Sequence, residues 1–282
     1  MKYECHGHII LDAKSYKASM ERHKNGVNTA FVRNQLKICA EHKISFYRDG
    51  GDKYNVSAAA KTIAAEFGID YRTPVFIIHR KGYYGSMFGR AYENMKEYLG
   101  LIREAKRLGA DFIKLAVSGI MDFASEGKVT GQAISYPELK QVVYIANEEG
   151  FSVMAHANGA ENIKNALCAG VSSIEHGFWP DKETAELFSQ TQTAWVPTRS
   201  TVRNLIGTGL FDDGVLMNIL EKQKEHLLSA KKLGAKIAAG SDCGAVNVLQ
   251  GEGTDDEYGE LSELGIDPGE GNKFISETFK RR

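Results

Sequence analysis

The chain has 282 residues, enough to bury a large core and a common length for an α/β barrel folded as one domain. With 43% hydrophobic and 25% charged residues and a formal net charge of -1, it offers no electrostatic case for a nucleic-acid or anionic-membrane partner. No apolar run approaches a membrane span and the N-terminus lacks the apolar stretch of a signal peptide. The four cysteines, Cys5, Cys39, Cys168 and Cys243, have no CxxC spacing and read as free thiols in a reducing cytoplasm.

The first predicted strand carries Glu4-Cys5-His6-Gly7-His8, between Lys2-Tyr3 and Ile9-Ile10-Leu11. On a strand, residues two apart face the same side, so His6 and His8 would point together and could chelate one ion. Gly7 leaves room for another group to approach the backbone. Taken alone, such a pair is more often incidental surface sequence.

A polar stretch follows, then a predicted helix over 28–42 and a strand over 44–47 that ends in Arg48-Asp49-Gly50-Gly51. The alanine-rich run 57–67 predicts a helix closed by Gly68. Residues 74–79 predict a buried strand, 81–90 a glycine- and tyrosine-rich loop, and 92–108 a helix.

From there a rhythm repeats: a helix ends at a glycine, a β-branched strand follows, and a polar residue closes it. Gly109 precedes the strand with Ile113-Lys114, Gly150 the one ending at His156, Gly170 the one ending at His176, and Gly234 the one ending at Asp242. A further strand, 193–197, lies between the last two. Ser135-Tyr136-Pro137-Glu138 reads as a capping box, and Leu139, Val142, Val143 and Ala146 form one apolar stripe behind it. A helix begins near Asp212, and from about Gly251 the chain is glycine- and acid-rich, ending in a short helix and a basic tail. Eight strands alternating with helices imply a parallel sheet with helical crossovers. We expect a single domain over 1–282, a (β/α)8 TIM-type barrel. The doubly wound rival lacks a glycine-rich phosphate loop after its first strand.

In such a barrel the chemistry sits where strands end. The polar residues at those ends are His6, His8, Lys114, His156, His176 and Asp242, a nitrogen and oxygen donor set suited to zinc or a similar divalent ion. A charged lysine amid metal ions is electrostatically implausible, so Lys114 must be neutral, modified or turned away.

These motifs resemble the amidohydrolase superfamily of metal-dependent hydrolases. The matching segments are His6-Gly7-His8, Arg48-Asp49-Gly50-Gly51, Ile113-Lys114-Leu115, Ala155-His156-Ala157, Ile174-Glu175-His176-Gly177, Val196-Pro197-Thr198 and Gly240-Ser241-Asp242. The likeness is to the branch of prolidase-like dipeptidases and imidazolonepropionase-related enzymes. It implies two divalent ions, Zn2+ first among the candidates: His6, His8 and Asp242 on the more buried one, His156 and His176 on the other, and a carboxylated Lys114 bridging them. Catalysis would fall to a metal-bridging hydroxide, with Asp242 as general base and acid and Lys114 as the bridge. The substrate implied is a small amide, such as a dipeptide, an N-acyl amino acid or a cyclic amide. Lactone or ester hydrolysis and a mononuclear deaminase-like reaction are the alternatives on the same residues. The non-enzymatic alternative is a metal-free, degenerate or truncated barrel. His156-Ala157-Asn158-Gly159 lacks the Glu that the adenosine-deaminase-like branch needs.

His79, Tyr84 and Arg199 are candidate substrate contacts, Arg199 for a carboxylate. His23, His42 and His226 read as surface residues. Glu175 is expected to point toward the helical layer, and Cys5 and Cys243 to face out of the barrel by strand alternation. Superfamily members carry an accessory β-sandwich built from both ends of the chain. Here the first histidine pair begins five residues in, so a barrel lacking most of that sandwich is expected. Its exposed first strand and uncovered bottom would favour a homo-oligomer.

Overall fold

The computed structural model describes residues 1–280. Its strands are β1 (Lys2–Gly7), β2 (Ile44–Asp49), β3 (Asp70–Arg72), β4 (Ile77–Arg80), β5 (Gly89–Tyr92), β6 (Ile113–Ala116), β7 (Val153–Ala157), β8 (Ser173–His176), β9 (Ala194–Val196) and β10 (Lys236–Ile237). Its helices are α1 (Tyr16–His23), α2 (Thr29–Glu41), α3 (Val56–Ala64), α4 (Met95–Arg107), α5 (Tyr136–Glu148), α6 (Ala160–Ala169), α7 (Lys182–Gln190), α8 (Ser200–Arg203), α9 (Asp213–Lys232), α10 (Glu252–Glu263) and α11 (Gly269–Thr278). All eight expected strand positions carry strands, and every paired neighbour is parallel.

The strands form two sheets, β1-β2-β3 and β10-β9-β8-β7-β6-β4-β5, rather than one uninterrupted ladder. The break falls inside the expected third strand. Pro74 has no N–H to donate, and Val75 takes φ +67°, so the chain leaves the ladder between β3 and β4. β3, just ahead of the expected strand, pairs with β2, and residues 77–79 of that strand pair with β6. At the opposite junction, β1 meets the segment after β10 through Cys5 N–H to Ala239 O (2.9 Å), Asp242 N–H to His6 O (2.6 Å) and His8 N–H to Cys243 O (2.8 Å). The eight positions therefore follow one another around a barrel.

Helices cover the outside. The stripe Leu139, Val142, Val143 and Ala146 of α5 is buried against Val153, Ala155 and Ile174, each large side chain contributing about 1.5–3 kcal/mol of transfer free energy. Trp195 stacks on Phe188 of α7 at 4.6 Å. Inside, the lower barrel is filled by Cys5, Phe46, Phe112, Met154, Ala194, Val196 and Ala238, and Ile275 and Phe279 from the C-terminal helix join them. The bottom is therefore covered by α11, and both sides of β1 are bonded.

Several local expectations change. The polar stretch after His8 holds α1, capped by Ser15, and the loop after β4 holds β5. The glycine- and acid-rich run folds as α10, because Thr254, Glu257 and Leu261 recur at helical spacing and bury one face. Ser135 starts α5, but its side chain makes no cap bond; Glu138 turns instead to Arg80, 3.4 Å away, and Pro137 supplies the helical first turn. His23 is buried, its Nδ1 accepting the Asn28 N–H at 3.1 Å, whereas His42 pairs with Asp255 near the surface. The basic tail runs beyond the described residues. Among those residues, no helix is long and apolar enough to cross a membrane, and the four cysteines are free.

Candidate metal centre

Strand alternation alone would turn Cys5 outward. It does not, because β1 bulges: Glu4 pairs with Tyr47 and Gly7 with Asp49, leaving Cys5 and His6 together opposite Arg48. Cys5 packs inward below while His6 and His8 face the barrel mouth. The bulge is pinned by the buried Glu4 carboxylate, which accepts the N–H groups of His6 (3.0 Å) and Ser241 (2.8 Å) and the hydroxyls of Ser241 and Thr254. Cys243 faces outward, beside Tyr47 Oη at 3.3 Å. A side chain at Gly7 would place its Cβ 2.3 Å from that same oxygen, so the close approach expected there is real.

His176 and Asp242 end their strands in left-handed backbone, with φ +65° and +58°. Uncommon for non-glycine residues, that conformation re-aims both side chains. It also resolves the geometry of β8. Ser173 and Glu175 already face the interior, and the turn at His176 brings the next residue inward as well. Glu175, expected to point to the helical layer, is fully buried and accepts two bonds from Arg48 Nη2 at 2.9 Å. Its Oε2 lies 2.9 Å from His6 Nδ1.

Three ligand-type atoms, from His6, His8 and Asp242, lie within 4.8 Å of one another, with Asp242 Oδ1 3.6 Å from His6 Nε2 and 3.5 Å from His8 Nε2. The His176 ring is 5.0 Å from His6 and 4.6 Å from His156. These five side chains and Lys114 line one inner chamber of about 60 Å³. Three of the four histidines meet an outer partner. His156 Nε2 donates to Gly119 O (3.0 Å), His176 Nδ1 meets Thr198 Oγ1 (2.8 Å), and His6 Nδ1 meets Glu175. One nitrogen of each of these rings is thereby left for an ion.

Burial makes the histidines poor bases: His8 and His156 fall to about 3, and His6 and His176 sit well below the usual imidazole value. Neutral rings are what metal binding needs. Burial also lowers the Lys114 ammonium and raises the Asp242 carboxyl. Lys114 is not solvent-facing; it is 2% exposed and its Nζ has no hydrogen-bond partner among the described residues. An orphaned amine amid neutral imidazoles and a carboxylate fits a site completed by cations and a modified lysine. The donor set therefore fits divalent ions.

A larger cavity of about 590 Å³ opens onto this chamber and shares Tyr84, His156, His176 and Asp242 with it. Tyr84 packs on the His156 ring at 4.7 Å, within reach of a substrate. His79 lines neither cavity: its Nδ1 is bonded to Arg80 O, and Gly85 and Gly89 close over it. Arg199, expected to hold a substrate carboxylate, lines neither as well. It is buried in an ion pair with Glu260 (3.0 Å) and donates to Leu220 O and Gln223, because α8 turns it toward α9 and α10.

Comparison with known proteins agrees with this geometry. No family model matches the chain. A stretch of 168 residues is 30% identical to ochratoxinase of Aspergillus niger, covering 58% of this chain and 35% of that protein. The crystal structure of A. niger ochratoxinase superposes with TM-score 0.74 at 22% identity, over 98% of this chain and 69% of that one. A Xaa-Pro dipeptidase with bound methionine in its active site gives TM-score 0.74 at 22% identity, over 98% and 72%. The chain thus resembles ochratoxinase in sequence over that stretch and shares the fold of both crystal structures. It spans about a third of the length of the curated relative it matches.

The site also has supporting residues that the sequence did not assign. Glu4, Arg48, Glu175 and Thr198 touch the candidate ligands or hold the bulge that aims them. Thr198 and Arg48 lay inside recognised motifs, but only their tertiary partners give them a task. The aromatic walls of the outer cavity, from Tyr16, Phe88, Phe123, Phe178 and Phe211, carried no sequence signal, since isolated aromatics in loops have no periodicity.

Proposed function

We propose that the chain hydrolyses a carbon–nitrogen amide bond in a small molecule with the help of divalent ions, Zn2+ being the first candidate. The observation that carries this reading is the convergence of His6, His8, His156, His176, Asp242 and the unpartnered Lys114 on one chamber. His6, His8 and Asp242 would hold one ion, His156 and His176 a second, and Lys114 would stand between them. When bound, such ions polarise a carbonyl and lower the pKa of water.

The chain's own groups do the rest. The neutral Lys114 amine adds to carbon dioxide through nitrogen and releases one proton, which converts an orphaned donor into an anionic carbamate with oxygen lone pairs for cations. Asp242 accepts the proton of the attacking water and delivers it to the amide nitrogen as the C–N bond breaks. Glu175 and Thr198 keep His6 and His176 oriented throughout. The names of two of the chain's structural neighbours, an amidohydrolase and a Xaa-Pro dipeptidase, favour amides over lactones and esters. Four free cysteines agree with a reducing cytoplasm.

Elemental analysis with intact mass tests the proposal. Two ions per chain, with the extra mass of one carbon dioxide lost on acid treatment, are expected. One ion and no adduct would replace it with a mononuclear site, and no metal after reconstitution would end it.

A further inference from the structure

The outer cavity carries its own chemical instruction. Among the described residues twenty line it, and none of these is a lysine or arginine. Its only carboxylate, Asp242, and its two imidazoles belong to the inner chamber. The rest of the wall is dominated by apolar side chains.

That wall is also unusually exposed. Tyr16, Tyr84, Met87, Ile120, Leu210 and Phe211 are large hydrophobic side chains more than a third exposed, and all six line this one cavity. Singly exposed apolar residues are ordinary, whereas a contiguous group around a concave site marks a binding surface. They come from separate segments: α1, the loop between β4 and β5, the loop after β6, and the loop between α8 and α9. Aromatic contact runs from the rim to the candidate ligands themselves. Phe123 lies 5.2 Å from Phe211, Phe178 stacks on His176 at 6.4 Å, and Phe88 stacks on His8 at 5.7 Å.

A substrate with a free carboxylate beside its scissile bond would have to leave that anion in this wall without a cationic partner. The desolvation of an unpaired charge costs more than the apolar contact returns. Arg199 and Arg203, each two positions from the lining residue Thr201, both pair with Glu260, and Arg199 also donates to Leu220 O and Gln223.

We propose that the substrate is a neutral amide carrying bulky apolar groups, aryl or long alkyl, on both sides of the scissile bond, with no free carboxylate or ammonium next to it. This rests on the reading of the site as an amide hydrolase and narrows it away from dipeptides and N-acyl amino acids.

The decisive comparison uses a matched pair, N-benzoyl-2-phenylethylamine and N-benzoyl-phenylalanine, which differ by one carboxylate, together with Ala-Pro as a dipeptide, on protein reconstituted with Zn2+ and bicarbonate. We expect kcat/KM for the neutral member to exceed the other two by about tenfold or more. Equal or better turnover of a carboxylate substrate would overturn this inference and leave the amide hydrolase standing. No hydrolysis of any of the three would count against the hydrolase reading instead. The pocket is then judged by binding alone, with metal-free protein and the neutral fluorophore N-phenyl-1-naphthylamine. Binding that weakens by about fivefold or more in Phe211→Asp, with an unchanged thermal transition, supports an apolar substrate wall. Unchanged binding in that variant overturns it.

Discussion

Arg48 and Glu175 form a buried, doubly bonded ion pair inside the barrel, and the same carboxylate reaches His6 at 2.9 Å. The pair stands directly under the candidate metal centre. Phe279 of the C-terminal segment supports it from below, 4.3 Å from the guanidinium. Packing of the barrel bottom is thereby connected to the orientation of a candidate ligand through three side chains.

Removing one partner of this pair exposes the dependence. Glu175→Gln leaves Arg48 charged without its counter-ion in a dry interior and keeps only one acceptor oxygen for Arg48 and His6 Nδ1 to share. We expect a stability loss of about 3–5 kcal/mol and a metal affinity lower by about 10–100-fold. Denaturant unfolding and metal titration of the same variant check both. Unchanged metal affinity would mean that His6 needs no outer partner.

Lys114 should behave in the opposite way toward stability. Its amine has no partner and is buried, so Lys114→Met removes a polar group that the fold does not satisfy. The metal-free variant is expected to melt at the same temperature as the parent or higher, while the bound-metal count falls below two. Calorimetry paired with elemental analysis reads both numbers. A strongly destabilised variant would show that the amine has a structural partner.

Glu257 supplies the pH dependence. Burial raises its carboxyl to about 7 although it accepts bonds from the Ser200 N–H and hydroxyl. The folded state therefore holds this proton more tightly than the unfolded chain. The contribution is fully present below the ordinary carboxyl value of 4.5 and is lost as pH rises toward 7. A rise of that size corresponds to an upper bound of about 3 kcal/mol. In Glu257→Gln, unfolding free energy measured across pH 4–8 should decline less steeply with rising pH than in the parent. Parallel curves would remove Glu257 from the account.

Gly50 tests the crowding at His8. A Cβ there would sit 2.2 Å from the His8 ring. Gly50→Ala is expected to displace the ring and weaken metal binding, at a cost of about 1–3 kcal/mol in stability. A metal titration equal to the parent's would show that the ring has room to move.

The sequence by itself determined eight of the ten strands, the positions of most helices and which polar residues close the strands. Those signals are local. Alternation, glycine stops and helical stripes are set by the backbone within a few residues. His6, His8, Lys114, His156, His176 and Asp242 were legible for that reason, and the structure brings all six to one chamber. What only the tertiary structure decided is where side chains point once the local rule fails. A bulge at Cys5 and His6 and the left-handed turn at His176 both change the facing of neighbours, so Cys5 and Glu175 end inside the barrel against simple alternation. Arg199 shows the same limit from the other side. Its place after a strand marks it as a rim residue, yet Glu260, some sixty positions later, claims its charge. The apolar outer cavity lies furthest from the sequence, because its exposed rim is assembled from four separate segments and no one of them carries the pattern.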